Sequence, residues 1–322
     1  GWGHIQTKLI KMLHRPKIII LGAGMSAIAC ALSLNNYFDV CIYEKSRGVG
    51  GRLCAKTLTD GLFHFGAQFC TARSSAFQKF LNRNNAINFQ GSTFDVNSAS
   101  CIATEDYFVA KNGMHSLLKK YNQVLNIDFN HKAIKVDDEK KLVYFESGKK
   151  ESYDIIISSL PLPQAMEIFE SQIEHDVIFS PCISIGMTIN GSPIYDHSAY
   201  KNLNEDVAWL GSSRFYNGSN KETWVLQFSP ATSSAMMNGP DSSIQACAEH
   251  SVRNVINGTY KINHSGIFRW RYAMCSRSKL KNKFTCISEH AFAIGDWNIS
   301  PRVESAFISG SALGEYLVEN KL

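Results

Sequence analysis

Two glycine clusters near the start of the chain bracket a carboxylate. Gly22-Ala23-Gly24-Met25-Ser26-Ala27 follows the apolar run Ile18 to Leu21, and Glu44 closes a second apolar run, Val40-Cys41-Ile42-Tyr43. Arg47-Gly48-Val49-Gly50-Gly51-Arg52 comes next. This pattern suits a dinucleotide. Gly22 allows a tight turn out of a strand, and Gly24 lets a pyrophosphate reach the backbone. Ala27 is small enough for a helix from about Met25 to Leu34 to pack closely on a sheet. The N-terminus of that helix favours phosphate charge. Glu44, about twenty residues beyond Gly22, is spaced to accept hydrogen bonds from ribose hydroxyls and to repel a 2′-phosphate. Gly50, Gly51 and Arg52 favour FAD over NAD, because they bring further backbone N–H groups and a charge-assisted contact to the pyrophosphate.

These residues need a parallel sheet under them, and the flanking patterns supply one. Lys132 to Val136 alternates like a short strand, Ile155-Ile156-Ile157 reads as a buried strand stopped at Pro161, and Gly113-Met114 opens a short helix. Ala291 to Ile294 reads as another strand, followed by Gly295-Asp296 and a helix opened by Ser300-Pro301 that runs to about Glu319. Asp296 is placed to hold a ribityl hydroxyl, and the helix start near Glu304-Ser305-Ala306 to face the flavin N1–C2 edge.

From about Pro181 the pattern changes. Ile183, Ile185, Met187 and Ile189 share one face, with Ser184, Gly186 and Thr188 on the other. Thr223 to Ser229 and Ile267 to Ala273 alternate similarly. A helix from Asp241, as N-cap, to about Ile256 packs beside this second, antiparallel sheet. Phe268, Trp270 and Tyr272 form one row and Arg269 and Arg271 the opposite one. The aromatic row is either plain core or the wall of a flat pocket. In Phe63-His64-Phe65-Gly66-Ala67-Gln68, the small residues let backbone pass close to a flat ring whose edge Gln68 could bond; a plain turn between strands is the alternative.

The expected fold is therefore α/β: a Rossmann-type FAD-binding domain over residues 17–75, 105–163 and 286–322, and a discontinuous substrate domain on an antiparallel sheet over 76–104 and 164–285. Its 322 residues, 44% of them apolar, fit two domains, and a net charge of +5 without a dense basic tract argues against nucleic acid. No apolar run has the length of a membrane span. Nine cysteines without a C-x-x-C read as reduced, mostly buried thiols of a cytoplasmic protein. No histidine–cysteine cluster has metal-ligand spacing. Residues 1–16 lack the continuous apolar core of a secretory signal and read as a leader or an arm.

The chain resembles the renalase-type flavoproteins of the amine oxidase-like FAD superfamily. The likeness runs through the glycine motif, Tyr43 to Arg52, Gly66-Ala67-Gln68, Gly113-Met114, Trp270-Arg271-Tyr272-Ala273, Gly295-Asp296 and Glu304 to Gly310. It implies non-covalent FAD held by Gly22, Gly24, Ala27, Glu44, Lys45, Gly51, Arg52, Gly66, Ala67, Gln68, Ala133, Gly295, Asp296, Glu304 and Ala306. It also implies oxidation of 2- or 6-dihydro isomers of NAD(P)H to NAD(P)+, with hydride passing to flavin N5 and O2 as acceptor, giving H2O2. No protein side chain is required as acid or base, because the donor becomes a stable cation. Trp270, Tyr272, Gln227 and Arg302 are the substrate-pocket candidates.

The chain departs from the family at His64, where Asp is usual, at Ser229 to Ser233, where Glu-Trp-Ser is common, and at Ser305, where Gly is commoner. Two other readings follow. One is a flavin amine oxidase, although Arg302 stands where those enzymes commonly place a cage Tyr, and a cation suits an anionic dinucleotide better. The other is an FAD-binding protein without turnover.

Overall fold

The computed structural model describes Gly3, residues 14–216 and residues 222–321; the side chains of residues 104–106 and 216 are not among them. The reading of residues 1–16 as a leader or arm falls largely outside this set. The chain divides into two compact units. The first comprises Gly1–Gly51, Leu118–Val177 and Ser276–Leu322, and the second Arg52–Leu117 and Ile178–Cys275.

The first unit is built on a six-stranded sheet in the order Thr285–Cys286, Ala291–Ala293, Ile155–Ser158, Lys17–Leu21, Asp39–Tyr43, Asn126–Asp128. All neighbours are parallel except the short Thr285–Cys286 edge strand. Its central strands Lys17–Leu21, Asp39–Tyr43 and Ile155–Ser158 are largely buried apolar runs, as a sheet covered on both faces requires. Ile19, Leu21, Cys41, Tyr43 and Ile156 pack against Val136, Val143 and Phe145 of a three-stranded antiparallel sheet, together with Ile168 and Phe169 of the helix Leu162–Phe169. The helix Met25–Leu34 is buried along most of its length and packs against the helix Val303–Lys321. Gly310 and Gly314 allow that approach: a Cβ at Gly310 would overlap the Ser26 carbonyl, and one at Gly314 would overlap the Ser33 side chain.

The second unit holds an eight-stranded sheet in the order Asn257–Cys275, Phe179–Ile194, Thr223–Phe228, Val207–Ser212, Ala199–Lys201, Ile87–Asp95, Ser100–Val109, Cys70–Thr71. It is antiparallel except where Ala199–Lys201 meets Ile87–Asp95. Ile183, Ile185 and Met187 face a core closed by Trp224, Leu226 and the helix residues Ile244, Ala248 and Val252. The opposite row is buried as well, Ser184 and Thr188 included. Its small residues make room for the hairpin Ala55–Leu58/Gly61–His64, since a Cβ at Gly186 would stand 2.7 Å from Phe63 and 3.1 Å from Phe65.

The fold class is as expected, α/β with a Rossmann-like sheet and a separate antiparallel layer, and five details differ. Residues 52–75 and 105–117 fall in the second unit, because Cys70–Thr71 joins its sheet and Thr223 bonds the Leu62 carbonyl at 3.1 Å. Residues 164–177 and 276–285 fall in the first, because Ile168 and Phe169 complete its core and Thr285–Cys286 pairs with Ala291–Ala293. Asp241 is the first residue of its helix rather than the cap, with Pro240 at the cap, and its carboxylate accepts from Arg269 at 2.7 Å. The last helix starts at Val303, two residues after Pro301. All nine cysteines are free thiols; Cys30, Cys41, Cys70 and Cys275 are buried, whereas Cys101 and Cys286 are exposed, so burial is less general than expected.

The close approach of the two helices makes a prediction. Gly310→Ala should cost about 1–3 kcal/mol, as overpacking against backbone does, and lower the urea midpoint of unfolding. Gly48→Ala, where a Cβ would meet nothing within 4 Å, should stay within roughly 0.5 kcal/mol.

Candidate cofactor site

The first unit brings most of the expected dinucleotide residues to the C-terminal edge of its parallel sheet. Gly22 ends the first strand with φ +94°, a conformation glycine adopts without strain, and its N–H bonds the Tyr43 carbonyl at 2.8 Å. A Cβ there would overlap Ser159 Oγ, which itself donates to the Leu21 carbonyl at 2.6 Å. Gly24 caps the helix Met25–Leu34 with no side-chain bond, and a Cβ on it would meet nothing within 4 Å. The helix thus begins with N–H groups that have no intrahelical partner and open space before them. The second cluster closes on the first: Gly50 N–H donates to the Ala23 carbonyl at 3.0 Å, and a Cβ at Gly51 would stand 3.5 Å from the Gly24 α-carbon.

Glu44 is only 8% exposed. One carboxylate oxygen accepts from Ala23 N–H at 2.8 Å and the other from Ser46 N–H at 2.9 Å. A carboxylate offers about four lone-pair directions, so two remain for hydroxyl groups. Its backbone is held as well, with N–H to Asp128 and carbonyl from His131. Ala133, half-buried, opens the strand just after that segment. Lys45 is exposed, Ala27 is fully buried, and Gly295 takes φ +147° with its N–H on Ser309 Oγ at 3.1 Å. Asp296 and Glu304 are buried, Ala306 lies in the first turns of the last helix, and Arg302 meets Glu304 at 3.8 Å. That pairing reduces the net positive charge expected at Arg302. A 630 Å³ cavity in this unit is lined by Lys17, Asp39, Asn126 and Asp154, at the opposite ends of the same strands from the glycine turns.

The remaining expected residues belong to the second unit. Gly66 packs so closely on Arg52 that a Cβ would overlap the Arg52 carbonyl. Gly66 N–H bonds the Cys54 carbonyl at 3.0 Å, Ala67 N–H bonds that of Arg52 at 2.9 Å, and the Arg52 guanidinium donates to the Ala273 carbonyl at 3.0 Å. Two substrate-pocket candidates are tied to this segment: Trp270 donates to the Phe65 carbonyl at 2.9 Å and Gln227 to that of Gly66 at 3.5 Å. Phe268 stacks on Phe65 with centroids 4.8 Å apart, and Tyr272 stands edge-on to Phe179. Gln68 is buried and accepts from Trp209 at 3.2 Å, a contact spanning 141 residues that no local pattern signals.

His64 is 1% exposed, and burial, with His115 nearby, holds its imidazole down to about 4. Ser229 to Ser233 serves the fold: Ser229 caps the helix Pro230–Met236, Thr232 donates to Asp206 at 2.7 Å, and Ser233 accepts from Ile183 N–H at 2.9 Å. Among the described residues no group of three His, Cys, Asp or Glu side chains is placed to hold a metal ion, and no helix is long and apolar enough to cross a membrane.

Comparison with known proteins agrees with this geometry. A family model described as an NAD(P)-binding Rossmann-like domain matches residues 20–83. Renalase of Mus musculus is 23% identical over 167 residues, 47% of this chain and 49% of renalase, so the match spans about half the length of that relative. Among solved structures, a putrescine oxidase variant superposes with a TM-score of 0.71 at 11% identity, covering 95% of this chain and 99% of that one. Reduced UDP-galactopyranose mutase gives 0.64 at 14% identity over 80% and 84%.

Two predictions follow from the buried groups. Glu44→Ala leaves two N–H groups without their acceptor and should destabilise the protein by about 1–3 kcal/mol, with Glu44→Gln losing less because it keeps a carbonyl. His64 stays neutral in the folded chain while an ordinary histidine protonates near 6.5. The unfolded state therefore binds more protons between these values, and stability should fall as pH drops from about 6.5 towards 4, by up to about 3 kcal/mol. Urea unfolding across that window should give a flatter profile for His64→Gln. The chain thus carries an NAD(P)-binding Rossmann-like domain over residues 20–83, resembles renalase in part of its sequence, and shares its fold with putrescine oxidase.

Proposed function

We propose that this protein is an FAD-dependent oxidase of renalase type, taking hydride from the 2- or 6-dihydro isomers of NAD(P)H and returning NAD(P)+. The observation that carries the cofactor reading is the joint geometry of Gly24 and Glu44: open space at a helix start beside a buried carboxylate with lone pairs to spare. The partial similarity to renalase supports the substrate.

In this reading the first unit binds FAD without a covalent bond. Gly22, Gly24 and Gly51 keep side chains away from the pyrophosphate, and the helix start at Met25 supplies N–H groups to it. Glu44 accepts from ribose hydroxyls, with Lys45 and Ala133 at the adenosine end. Gly295, Asp296, Glu304 and Ala306 serve the ribityl and ring end. Arg52, Gly66, Ala67 and Gln68 keep their expected role as further cofactor contacts. A flavin held by these residues would supply the hydride acceptor, with O2 as the terminal oxidant and H2O2 as its product. The protein's part is positioning, and no side chain is asked to move a proton. Trp270, Tyr272, Gln227 and Arg302 remain the substrate-side candidates. The Arg302–Glu304 pair keeps amine oxidation as a second reading, because a cation already neutralised repels an amine less.

The test is anaerobic bleaching of the oxidised-flavin visible band in the FAD-loaded protein. Separate runs would use the 2- and 6-dihydro isomers, ordinary NADH and a panel of amines. Rapid bleaching by an isomer is expected. Bleaching by an amine alone would make the protein an amine oxidase. Inert flavin under every reductant would make it an FAD-binding protein without turnover.

A further inference from the structure

Arg277, Lys279, Lys281 and Lys283 alternate with Ser278, Leu280 and Asn282, and no Asp or Glu stands between Ser276 and Thr285. The whole chain nets only +5, so much of its surplus charge sits on this one segment. No two of the four cations are adjacent, which is why the sequence shows no basic run here. All four are exposed, and among the described residues none of them forms an ion pair. Lys17, Lys135, Lys149, Arg253 and Arg269, by contrast, each meet a carboxylate.

The segment is fastened at both ends to one turn of the first unit. Ser278 N–H donates to the Ile299 carbonyl at 3.1 Å, and Thr285 Oγ1 donates to Asn298 Oδ1 at 2.8 Å. That turn is itself closed, with Ile299 N–H on the Asp296 carbonyl at 2.8 Å and the Asn298 amide on the Gly295 carbonyl at 3.2 Å. Between its two ends the segment is braced further. Lys279 N–H reaches the Asp176 carboxylate at 3.4 Å, Leu280 N–H reaches Ser278 Oγ at 2.9 Å, and Phe284 packs on Tyr316 with centroids 5.2 Å apart. The cations thus stand on a loop whose two feet rest on the turn that carries Gly295 and Asp296, both in the first unit.

Four like charges held this close repel one another, and an anion placed among them relieves that repulsion. Lysine is a flexible point charge with three donors, suited to phosphate oxygens. A dinucleotide brings two negative charges on its diphosphate, whereas an amine substrate brings none and, protonated, would be repelled. We propose that the loop Arg277–Lys283 is an anion-recognising element that attracts and holds the diphosphate of the dinucleotide substrate. This deepens the dinucleotide-oxidase reading above and rests on it. The loop has no part in the chemical step: its charge acts on affinity and on the choice of an anionic substrate over a cationic one.

The experiment compares FAD-loaded wild type with a triple variant, Lys279→Gln, Lys281→Gln and Lys283→Gln, and with a second triple variant carrying Arg at the same three positions. NAD+ binding is measured by equilibrium dialysis, which needs no turnover. Beside it, kcat and KM are measured for a dihydro isomer of NAD and for an N-alkyl dihydronicotinamide isomer that lacks the diphosphate. The Gln variant should bind NAD+ about tenfold more weakly, since each exposed charge pair contributes about twofold to threefold. Its KM for the dinucleotide should rise by the same factor at unchanged kcat, while the diphosphate-free donor is unaffected. The Arg variant should behave as wild type, and added salt should narrow the gap between wild type and the Gln variant. Unchanged NAD+ affinity and KM in the Gln variant would overturn the proposal, as would an equal loss for the diphosphate-free donor. Binding to phosphatidylserine vesicles that the Gln variant loses while its NAD+ affinity stays intact would also overturn it, by assigning the loop to a membrane surface. In these cases a wild-type protein that oxidises the isomers leaves the reading of its function standing. A wild-type protein that neither oxidises an isomer nor binds NAD+ would overturn both.

Discussion

The two hydrogen bonds accepted by the Glu44 carboxylate tie together the two turns that follow the first and second strands of the parallel sheet. One comes from Ala23, inside the first glycine turn, and the other from Ser46, where the chain leaves the second strand. Both turns are short of side chains and would otherwise hold together only through backbone contacts such as Gly50 to Ala23. A buried carboxylate with charge-assisted bonds to two backbone N–H groups is a strong staple. It also leaves the carboxylate with lone pairs to spare, so the side chain that shapes both turns keeps the capacity to accept further hydrogen bonds.

A second constraint is close packing at glycine. Gly310 and Gly314 bring the last helix against Ser26 and Ser33 of the helix that starts at the glycine turn. The end of the chain is thereby fixed to its beginning, and the Gly295–Ala306 stretch joins the same unit as Gly22 and Glu44. In the second unit Gly66 does the equivalent work against Arg52, and Gly186 admits Phe63 and Phe65 to the far face of the sheet. In each case the absence of a Cβ sets the distance between two elements, and residues far apart in sequence acquire a fixed relation.

The departures from the renalase-type pattern that the chain resembles divide on physical grounds. Ser229, Thr232 and Ser233 cap a helix and pin it to Asp206 and Ile183, so that stretch is explained by the fold. His64 is a buried neutral imidazole beside His115, where a carboxylate would carry charge into an apolar layer. Trp270 and Gln227 donate to the backbone of Phe65 and Gly66, which gives them a supporting role for that loop in addition to any contact with substrate.

Local pattern alone determined the elements and the nucleotide motif. The strands at Lys17–Leu21 and Asp39–Tyr43, the helix Met25–Leu34 and the alternation at Ile183–Ile189 were legible because periodicity and glycine spacing are properties of neighbouring residues. The spacing of Glu44 from Gly22 was legible for the same reason. Only the tertiary structure decided where the chain divides into units, which carboxylate oxygen bonds which turn, and that Asp241 serves Arg269 rather than capping its helix. It alone brought Trp209 to Gln68 and Glu304 to Arg302 in a specific geometry. Such contacts depend on sheet register and on how closely backbones approach, which follow from packing the whole chain and leave no mark in any short window of sequence.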